Sequence, residues 1–595
     1  VIETMTDTLL HRGPDGRGFR HGPGYALGHR RLSIIDLEGG RQPLGNDAAD
    51  VWTVVNGEIY NFQSLRDELR AAGHHFKTGS DSEVVLHGHR HWGKAAITRL
   101  DGMFAYAHVD EATRRLILAR DRLGIKPLYY AQFDGALLFA SEPKALLAYP
   151  GFPKRLNKAA VGSYLDYRYV VGEQTFFEGI RQLPAGHQLI VEDGNVRIER
   201  YWEIPADAET LDLDDSTAIA HVTESLARAV EARLVSDVPF GAYLSGGLDS
   251  SLVVALMARR HSSPIKTYST GFEEDGYNEF PFARMVADAY GTQHKEILLT
   301  QDRYFELLPQ LIRYKDAPLG VPNEVPLWQM SEVLKQDITV VLSGEGADEL
   351  FGGYGRIFRA AAQLDDSGFQ GDVASEFLAR YGYFGEAALR QYLAPDLLAD
   401  TASLGYGAQT LRSAFDQVRH LSAVRQFLWV FQKHHLPGLL QRLDTTTMAA
   451  AVEGRVPFVD HHLVELGHRL PPSLKLRWKS EADRVAAAGL KPDKISEIYD
   501  TPKWILRQVG LSLLPEAVVT RKKVGFPVPL GKWLGGKLKD TAREVLLTDR
   551  CRQRGLFDVS AIESALSSMG ESQWDVGMRV WMLLCLETFC AEYFD

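Results

Sequence analysis

Short apolar runs, broken by turn residues, fill the first third of the chain. Tyr25-Ala-Leu-Gly-His-Arg-Arg-Leu-Ser-Ile-Ile35, Val51-Trp-Thr-Val-Val-Asn56, Met103-Phe-Ala-Tyr-Ala-His-Val109, Arg115-Leu-Ile-Leu-Ala-Arg120 and Ala136-Leu-Leu-Phe-Ala-Ser141 read as strands. Helical spacing covers 62–72 and 82–92. Strands paired as sheets, with a few helices to cover them, predict an α+β layered domain over residues 1–205. Residues 205–216 are acidic and weakly patterned, and read as a linker. The pattern then alternates. Helices are expected over 217–234, 250–260 and 278–290, and strands over 238–244, 265–272, 294–299 and 338–342. That alternation predicts a parallel, doubly wound sheet with ligands at the carboxyl ends of its strands. Beyond about residue 355 the pattern is mostly helical. Residues 206–595 are taken as the second domain.

With 595 residues there is chain enough for more than one core. Apolar content of 45% and charged content of 24% are ordinary for a globular protein. A net charge of -11 argues against nucleic acid as a main partner. The cysteines, Cys551, Cys585 and Cys590, form neither a disulfide framework nor a metal-ligand spacing, which suits a reducing compartment. No run is long enough to span a membrane and no secretory signal is apparent, so the expected location is the cytoplasm.

The chemistry concentrates first at Leu244-Ser-Gly-Gly-Leu-Asp-Ser-Ser251, between an expected strand and an expected helix. A Gly-rich loop there lets backbone N–H groups approach an anion, and the helix N-terminus adds positive potential. It is not a Walker A loop, because no Gly-Lys-Ser/Thr follows. A second loop, Ser343-Gly-Glu-Gly-Ala-Asp-Glu-Leu-Phe-Gly-Gly-Tyr354, leaves the strand ending at Leu342. Asp249 and Asp348 are a natural Mg²⁺ pair if both loops face one nucleotide. The plain alternative, acidic residues capping a helix, accounts for one carboxylate but not for Gly-Glu-Gly or Gly-Gly-Tyr. Arg521 and Lys523 offer cations where charge accumulates on a leaving pyrophosphate; a basic triplet alone is usually a solvated surface. In the first domain Arg31 could clamp a carboxylate, Glu58 and Asp81 could hold an ammonium, and Asn56 with the Gly57 N–H could donate to an oxyanion. Singly, each is better explained as a turn, cap or surface charge, and Asn56-Gly57 is a common hairpin turn.

Taken together, the segments resemble a known family. Ser245-Gly-Gly-Leu-Asp-Ser250 resembles the pyrophosphate-binding loop of ATP pyrophosphatases. His11-Arg-Gly-Pro-Asp15, Arg31-Leu-Ser-Ile34, Asn56-Gly-Glu58 and Gly79-Ser-Asp81 resemble the glutaminase domain of class II (N-terminal nucleophile) amidotransferases, as do 120–130 and 141–144. With 442–448, 452–460 and 521–529, nearly the whole chain is similar to the glutamine-hydrolysing asparagine synthetase family. The resemblance implies a four-layer sandwich of two antiparallel sheets between helices, then an adenine-nucleotide-hydrolase-like parallel sheet with a helical C-terminal part. It implies that Arg31, Asn56, Gly57, Glu58 and Asp81 line a glutamine site. Ser245, Gly246, Gly247, Asp249, Ser250 and Ser251 would hold pyrophosphate, and Leu244, Thr270, Ser343 and Gly344 would flank adenosine. Asp249 and Asp348 would bind Mg²⁺. Glu345 would take a proton from attacking ammonia, Lys523 would stabilise adenylylation, and Glu453 and Arg455 would lie near an ammonia route. The implied ligands are ATP, Mg²⁺, glutamine and a carboxylate acceptor; a homodimer is left open.

One departure concerns the nucleophile. The family uses an N-terminal cysteine whose α-amino group is the base, whereas this sequence begins at Val1 and has no cysteine before Cys551. The expectation is that the first strand and nucleophile lie outside the sequence, the alternative being a glutaminase that cannot hydrolyse glutamine. The second departure is at 316–328, where Asn323 and Trp328 replace more usual residues near the acceptor site. With Gly353-Tyr-Gly-Arg-Ile357, this resembles homologues that amidate carboxylates other than aspartate, in polysaccharide or natural-product pathways. A β-lactam- or lasso-type cyclase would also lack the cysteine, but the Arg31, Asn56–Glu58 and Asp81 set argues against it. The undamaged loops argue against a non-catalytic homologue.

Overall fold

The structure is a computed structural model that describes residues 1–523, 525–533, 536–568 and 574–595. Its first part contains β1 (Gly16–Gly22), β2 (Tyr25–Arg31), β3 (Leu44–Gly45), β4 (Val51–Ile59), β5 (Gly102–Asp110), β6 (Arg115–Arg120), β7 (Tyr129–Phe133), β8 (Ala136–Ala140), β9 (Arg181–Gln182), β10 (His187–Glu192) and β11 (Asn195–Arg200). An antiparallel sheet has the order β11-β10-β6-β5-β4-β3. Both faces of β5 are buried, so the sheet must be covered twice. Phe104 and Tyr106 pack with Phe62, Leu65, Leu69, Val84 and Val85 of the helices Phe62–Ala71 and Glu83–Trp92. Ala105, Ala107 and Val109 point the other way, against Leu27, Leu128 and Tyr130 of a second sheet layer. That layer has two pieces, β1-β2 and β8-β7-β9. A cleft of about 1480 Å³ separates β2 from β8. Tyr129, Ala131 and Leu138 turn outward onto Met5 and Leu146 of the helices Ile2–Asp7 and Pro143–Leu147. The expected four-layer sandwich is present.

The second part is a parallel sheet of β12 (Phe240–Tyr243), β13 (Lys266–Phe272), β14 (Gln293–Leu299), β15 (Val340–Leu342) and β16 (Glu453–Arg455), in the order β14-β13-β12-β15-β16. The chain runs outward from β12 through β13 to β14, then returns to the other side as β15 and β16. The switch point therefore lies between β12 and β15, where a ligand crevice is expected. Val222 and Leu226 of the helix Asp215–Ala232, Val253 and Met257 of Leu248–Arg260, and Leu327 and Met330 of Glu324–Leu334 share a core with Ala242, Tyr243 and Val341. Ile34, Met103, Leu123 and Ile125 of the first part enter the same core. The remainder is mostly helical. The C-terminal helix Trp574–Tyr593 reaches back to the first part, where the Tyr164 hydroxyl donates to Met582 O at 3.2 Å and to Leu319 O at 2.8 Å. Cys551, Cys585 and Cys590 are buried free thiols. Among the described residues no helix is long and apolar enough to cross a membrane.

Three local readings change. The strand from Tyr25 stops at Arg31, and Ser33 N–H then donates to the Asp15 carboxylate at 2.8 Å instead of to a ladder. Asn56 and Gly57 lie inside β4, opposite Ala105 and Phe104, so they form no hairpin turn. The acidic residues of the second loop cap nothing: the helix Ala347–Phe351 starts at Gly346 without a side-chain cap. Strands β1, β3, β7, β9, β10, β11 and β16 are not among those the pattern predicts. Strand β1 (GRGFRHG) carries too few apolar residues to alternate, and β16 is three residues long.

Candidate active site

The turn after β12 and the turn after β15 meet at the switch point. A Cβ on Gly344 would lie 2.8 Å from Ser250 N and 2.9 Å from Asp249 Cβ, so the two loops touch only because that side chain is absent. Leu244, Ser245, Gly247, Asp249, Ser250, Thr270, Ser343, Gly344, Glu345, Asp348 and Lys523 all line one cavity of about 280 Å³. Gly246 and Ser251 belong to the first loop without lining it. Ser245 and Ser250 brace that loop through an Oγ–Oγ contact of 3.0 Å, and Gly247 N–H donates to Ser245 Oγ at 3.2 Å. Gly247 also begins the helix Leu248–Arg260, whose N-terminus faces an anion favourably.

The electrostatics of this cavity depend on a residue the sequence reading missed. Lys503 Nζ sits 2.6 Å from both Asp249 Oδ2 and Asp348 Oδ1 and is 7% exposed. Lys523 reaches the same Asp348 oxygen at 2.5 Å from a position 38% exposed. Burial raises Asp249, against the pull of Lys503. Burial also pushes Asp348 up, but Lys503 and Lys523 outweigh it and hold the carboxylate below its usual range. Burial, then the charge on Asp348, lifts Glu349 to about 7. Gly353 leaves room for the lysine: a Cβ there would stand 1.7 Å from Asp348 Oδ1 and 2.1 Å from Lys503 Cε. Lys503 follows an ordinary Asp-Thr-Pro sequence, far from both loops, and carries no motif that could have marked it. Arg521 also lines the cavity, but it donates to Gly246 O at 3.1 Å and is neutralised by Glu279. Val524 of that basic segment lies outside the described residues. Asp249 Oδ1 and Thr270 Oγ1 are buried without a protein partner. Two facing carboxylates with a free oxygen suit a hard divalent cation beside phosphate.

Arg31, Asn56, Gly57, Glu58 and Asp81 converge on a second cavity, of about 110 Å³, in the first part. The Arg31 fork is engaged by its own loop: it donates to Leu37 O at 2.9 Å, Ile35 O at 3.1 Å and Asp36 O at 2.6 Å. Asp81 accepts from Ile59 N–H at 2.7 Å, and burial raises it to about 6. Burial and the neighbouring Asp81 raise Glu58 strongly. Met448 and Glu453 of the second part line this cavity as well.

A buried chain of charges joins the two parts. Arg455 Nη2 lies 3.4 Å from Glu58 and its Nε 2.9 Å from Glu453; Lys126 bridges Glu453 at 3.6 Å and Asp444 at 3.3 Å. Arg12 continues from Asp444 at 2.8 Å to Glu142 at 3.0 Å. Lys144 pairs with Glu142 and lies 3.3 Å from Asp316. Arg455 O, in turn, accepts from Ser343 N–H at 2.9 Å, so one residue of β16 contacts a lining residue of each cavity. Of the expected departures near the acceptor, Trp328 is buried against Tyr314 in the core, whereas Asn323 accepts from Arg442 at 3.3 Å. Arg442 donates to Glu345 at 2.5 Å.

A layered antiparallel sandwich fused to a parallel sheet, with a pyrophosphate-type loop at its switch point, defines a glutamine-dependent ligase. The sequence bears this out along its length. The asparagine synthase family matches residues 221–590, and the glutamine amidotransferase domain matches residues 1–202. The chain belongs to the asparagine synthase family. It is 31% identical to glutamine-hydrolyzing asparagine synthetase 1 of Bacillus subtilis (strain 168), over 92% of this chain and 86% of that one. It is 33% identical to a putative glutamine-hydrolyzing asparagine synthetase of Mycobacterium tuberculosis (strain CDC 1551 / Oshkosh), over 100% and 94%. A relative named amidase chry2, from Gibberella zeae, is 31% identical over 97% and 92%.

Proposed function

We propose that the protein converts aspartate to asparagine through an acyl-adenylate, using ammonia released from glutamine. In this reading residues 1–205 are the glutaminase and 206–595 the synthetase. A carboxylate is a poor acylating group. Attack of its oxygen on the α-phosphorus of ATP breaks the bond to pyrophosphate and leaves an acyl-adenylate. The loop Ser245–Ser251 receives the phosphates, and Leu244, Thr270, Ser343 and Gly344 flank the nucleoside. Asp249 and Asp348 would hold Mg²⁺, which would screen the phosphate charge. Lys523, and with it Lys503, neutralises charge as pyrophosphate departs. Ammonia then attacks the acyl carbon, Glu345 accepts a proton, and AMP leaves. Asn56, Gly57, Glu58 and Asp81 hold glutamine in the second cavity, with Arg31 joining them once its fork leaves the carbonyls of its own loop, and an enclosed route keeps ammonia unprotonated and water out.

The observation that carries this reading is β16. Its Glu453 lines the second cavity, while Arg455 pairs with Glu58 by its side chain and with Ser343 by its backbone. Amidation of a different carboxylate is the second reading, favoured by the amidase-named relative and by Asn323, just before the helix Glu324–Leu334. Pyrophosphate and amide are measured with ATP, Mg²⁺ and aspartate, with glutamine or ammonium as nitrogen source. Release with both supports the full reaction; release with ammonium alone means a silent glutamine site. No release with aspartate, but release with another acid, replaces the first reading by the second. Glu345→Gln is expected to lower amide formation at least about 100-fold while pyrophosphate release persists; unchanged amide formation would remove Glu345 from its role.

A further inference from the structure

Beside the nucleotide cavity lies a third one, of about 80 Å³, at the junction of the two parts. The Glu345–Arg442 pair connects them, since Arg442 lines the third cavity and Glu345 the nucleotide cavity. Most charges around the third cavity are already matched. Lys315 pairs with Glu324 at 2.8 Å and Asp316 with Lys144 at 3.3 Å. Burial holds His435 well below its usual range, so it adds no charge at neutral pH. Arg168 differs. It lines the cavity, pairs with no carboxylate among the described residues, and has a buried Nε with no acceptor.

Two backbone features single out the same place. Arg168 follows the helix Lys158–Tyr167 in the left-handed region, at φ 71°, a conformation that costs a non-glycine residue energy and tends to be kept where a side chain must be aimed. Across the cavity the chain forms a π-helical turn, Phe431–His435, a distortion frequent at functional sites. The Arg168 guanidinium stacks on Tyr383, 4.2 Å from the ring centroid, which fixes the plane of its fork.

We propose that Arg168 receives the second carboxylate of a diacid acceptor, the one remote from the carboxylate that reacts beside Glu345. The proposal rests on the amidation reading given above and adds the residue that sets its acceptor specificity. A planar guanidinium matches a carboxylate through two parallel hydrogen bonds. A monoacid would leave this partly buried cation unmatched, so the site selects for diacids by what the wrong substrate fails to satisfy. The specificity-determining side chain then comes from residue 168, before the linker, although the chemistry occurs after it.

The test uses the full-length protein with ammonium as the nitrogen source, so that glutamine use does not enter. Parent, Arg168→Gln and Arg168→Lys are compared for pyrophosphate release with aspartate and with β-alanine, which lacks the second carboxylate. Calorimetric binding of succinate is measured in parallel, without ATP. Arg168→Gln is expected to raise KM for aspartate about 10- to 100-fold, leave KM for ATP within about twofold, and reduce the preference for aspartate over β-alanine at least about tenfold. Arg168→Lys, which keeps the charge but loses the fork, should fall between. Thermal unfolding midpoints close to that of the parent separate this from a folding defect. Equal aspartate KM and equal discrimination in parent and Arg168→Gln overturn the proposal. If the parent turns over no carboxylate, the amidation reading fails, and succinate decides the present one alone. Binding lost in Arg168→Gln supports it; equal binding, or none to either protein, overturns it.

Discussion

Asp81 carries two opposed demands. To hold the ammonium that the proposed function assigns to it, it must be ionised, yet burial raises it from 3.8 to about 6. A group raised in this way contributes stability that is present in full below about 3.8 and is lost as pH climbs through about 6; the raise corresponds to about 3 kcal/mol at most. Asp81→Asn is therefore expected to stabilise the fold by about 1–3 kcal/mol at pH 8 and by almost nothing at pH 4, while ending glutamine use at either pH. Urea unfolding at the two pH values checks this; an equal effect at both would mean that ionisation is not what strains the site. Arg442 and Arg168 show the complementary case, in which a cation is defined by the partner it has or lacks.

At the level of elements, the proposed nucleotide cavity is made where two strand-end loops and the start of the helix Trp504–Leu511 converge. Lys503 ties the third element to the first two by standing between Asp249 and Asp348. Removing a buried cation from two carboxylates leaves uncompensated charge, at a cost of about 3–5 kcal/mol. Lys503→Met is expected to unfold at a lower temperature than the parent in chelator, and to recover more than the parent does when Mg²⁺ is added, because a cation that binds only the folded state stabilises it. If Mg²⁺ shifts both proteins equally, the two carboxylates are not the cation's ligands.

On the scale of the whole molecule, the buried charges from Glu58 to Asp316 make the contact between the two parts polar yet nearly fully paired. Such pairs add little net stability compared with apolar contacts, but breaking one is costly, so they fix register. Arg455 is fully buried and serves Glu58 and Glu453 together. Arg455→Met is expected to lower glutamine-driven amide formation at least about tenfold more than ammonium-driven formation, and to increase glutamate produced per amide. Equal loss with both nitrogen sources would mean that Arg455 supports only the synthetase loop.

Alternation, helical spacing and contiguous motifs were enough to place β2, β4, β5, β6, β8 and β12 to β15, the flanking helices, the layered-then-parallel order and both Gly-rich loops, because those signals are local: each depends on residues two to four positions apart or on a contiguous run. The residues of each cavity could be named as groups only through the family resemblance of the segments that carry them, since no local pattern joins Arg31 to Asp81 or Asp249 to Asp348. Tertiary structure alone decided which groups face one another. Lys503 reaches Asp249 across 254 positions of sequence, the Arg31 fork is turned into its own loop, and Arg168 finds no carboxylate partner among the described residues in a cavity lined by both parts. No periodicity records such contacts, since charge pairing and desolvation depend on distance in space and on what else is buried there.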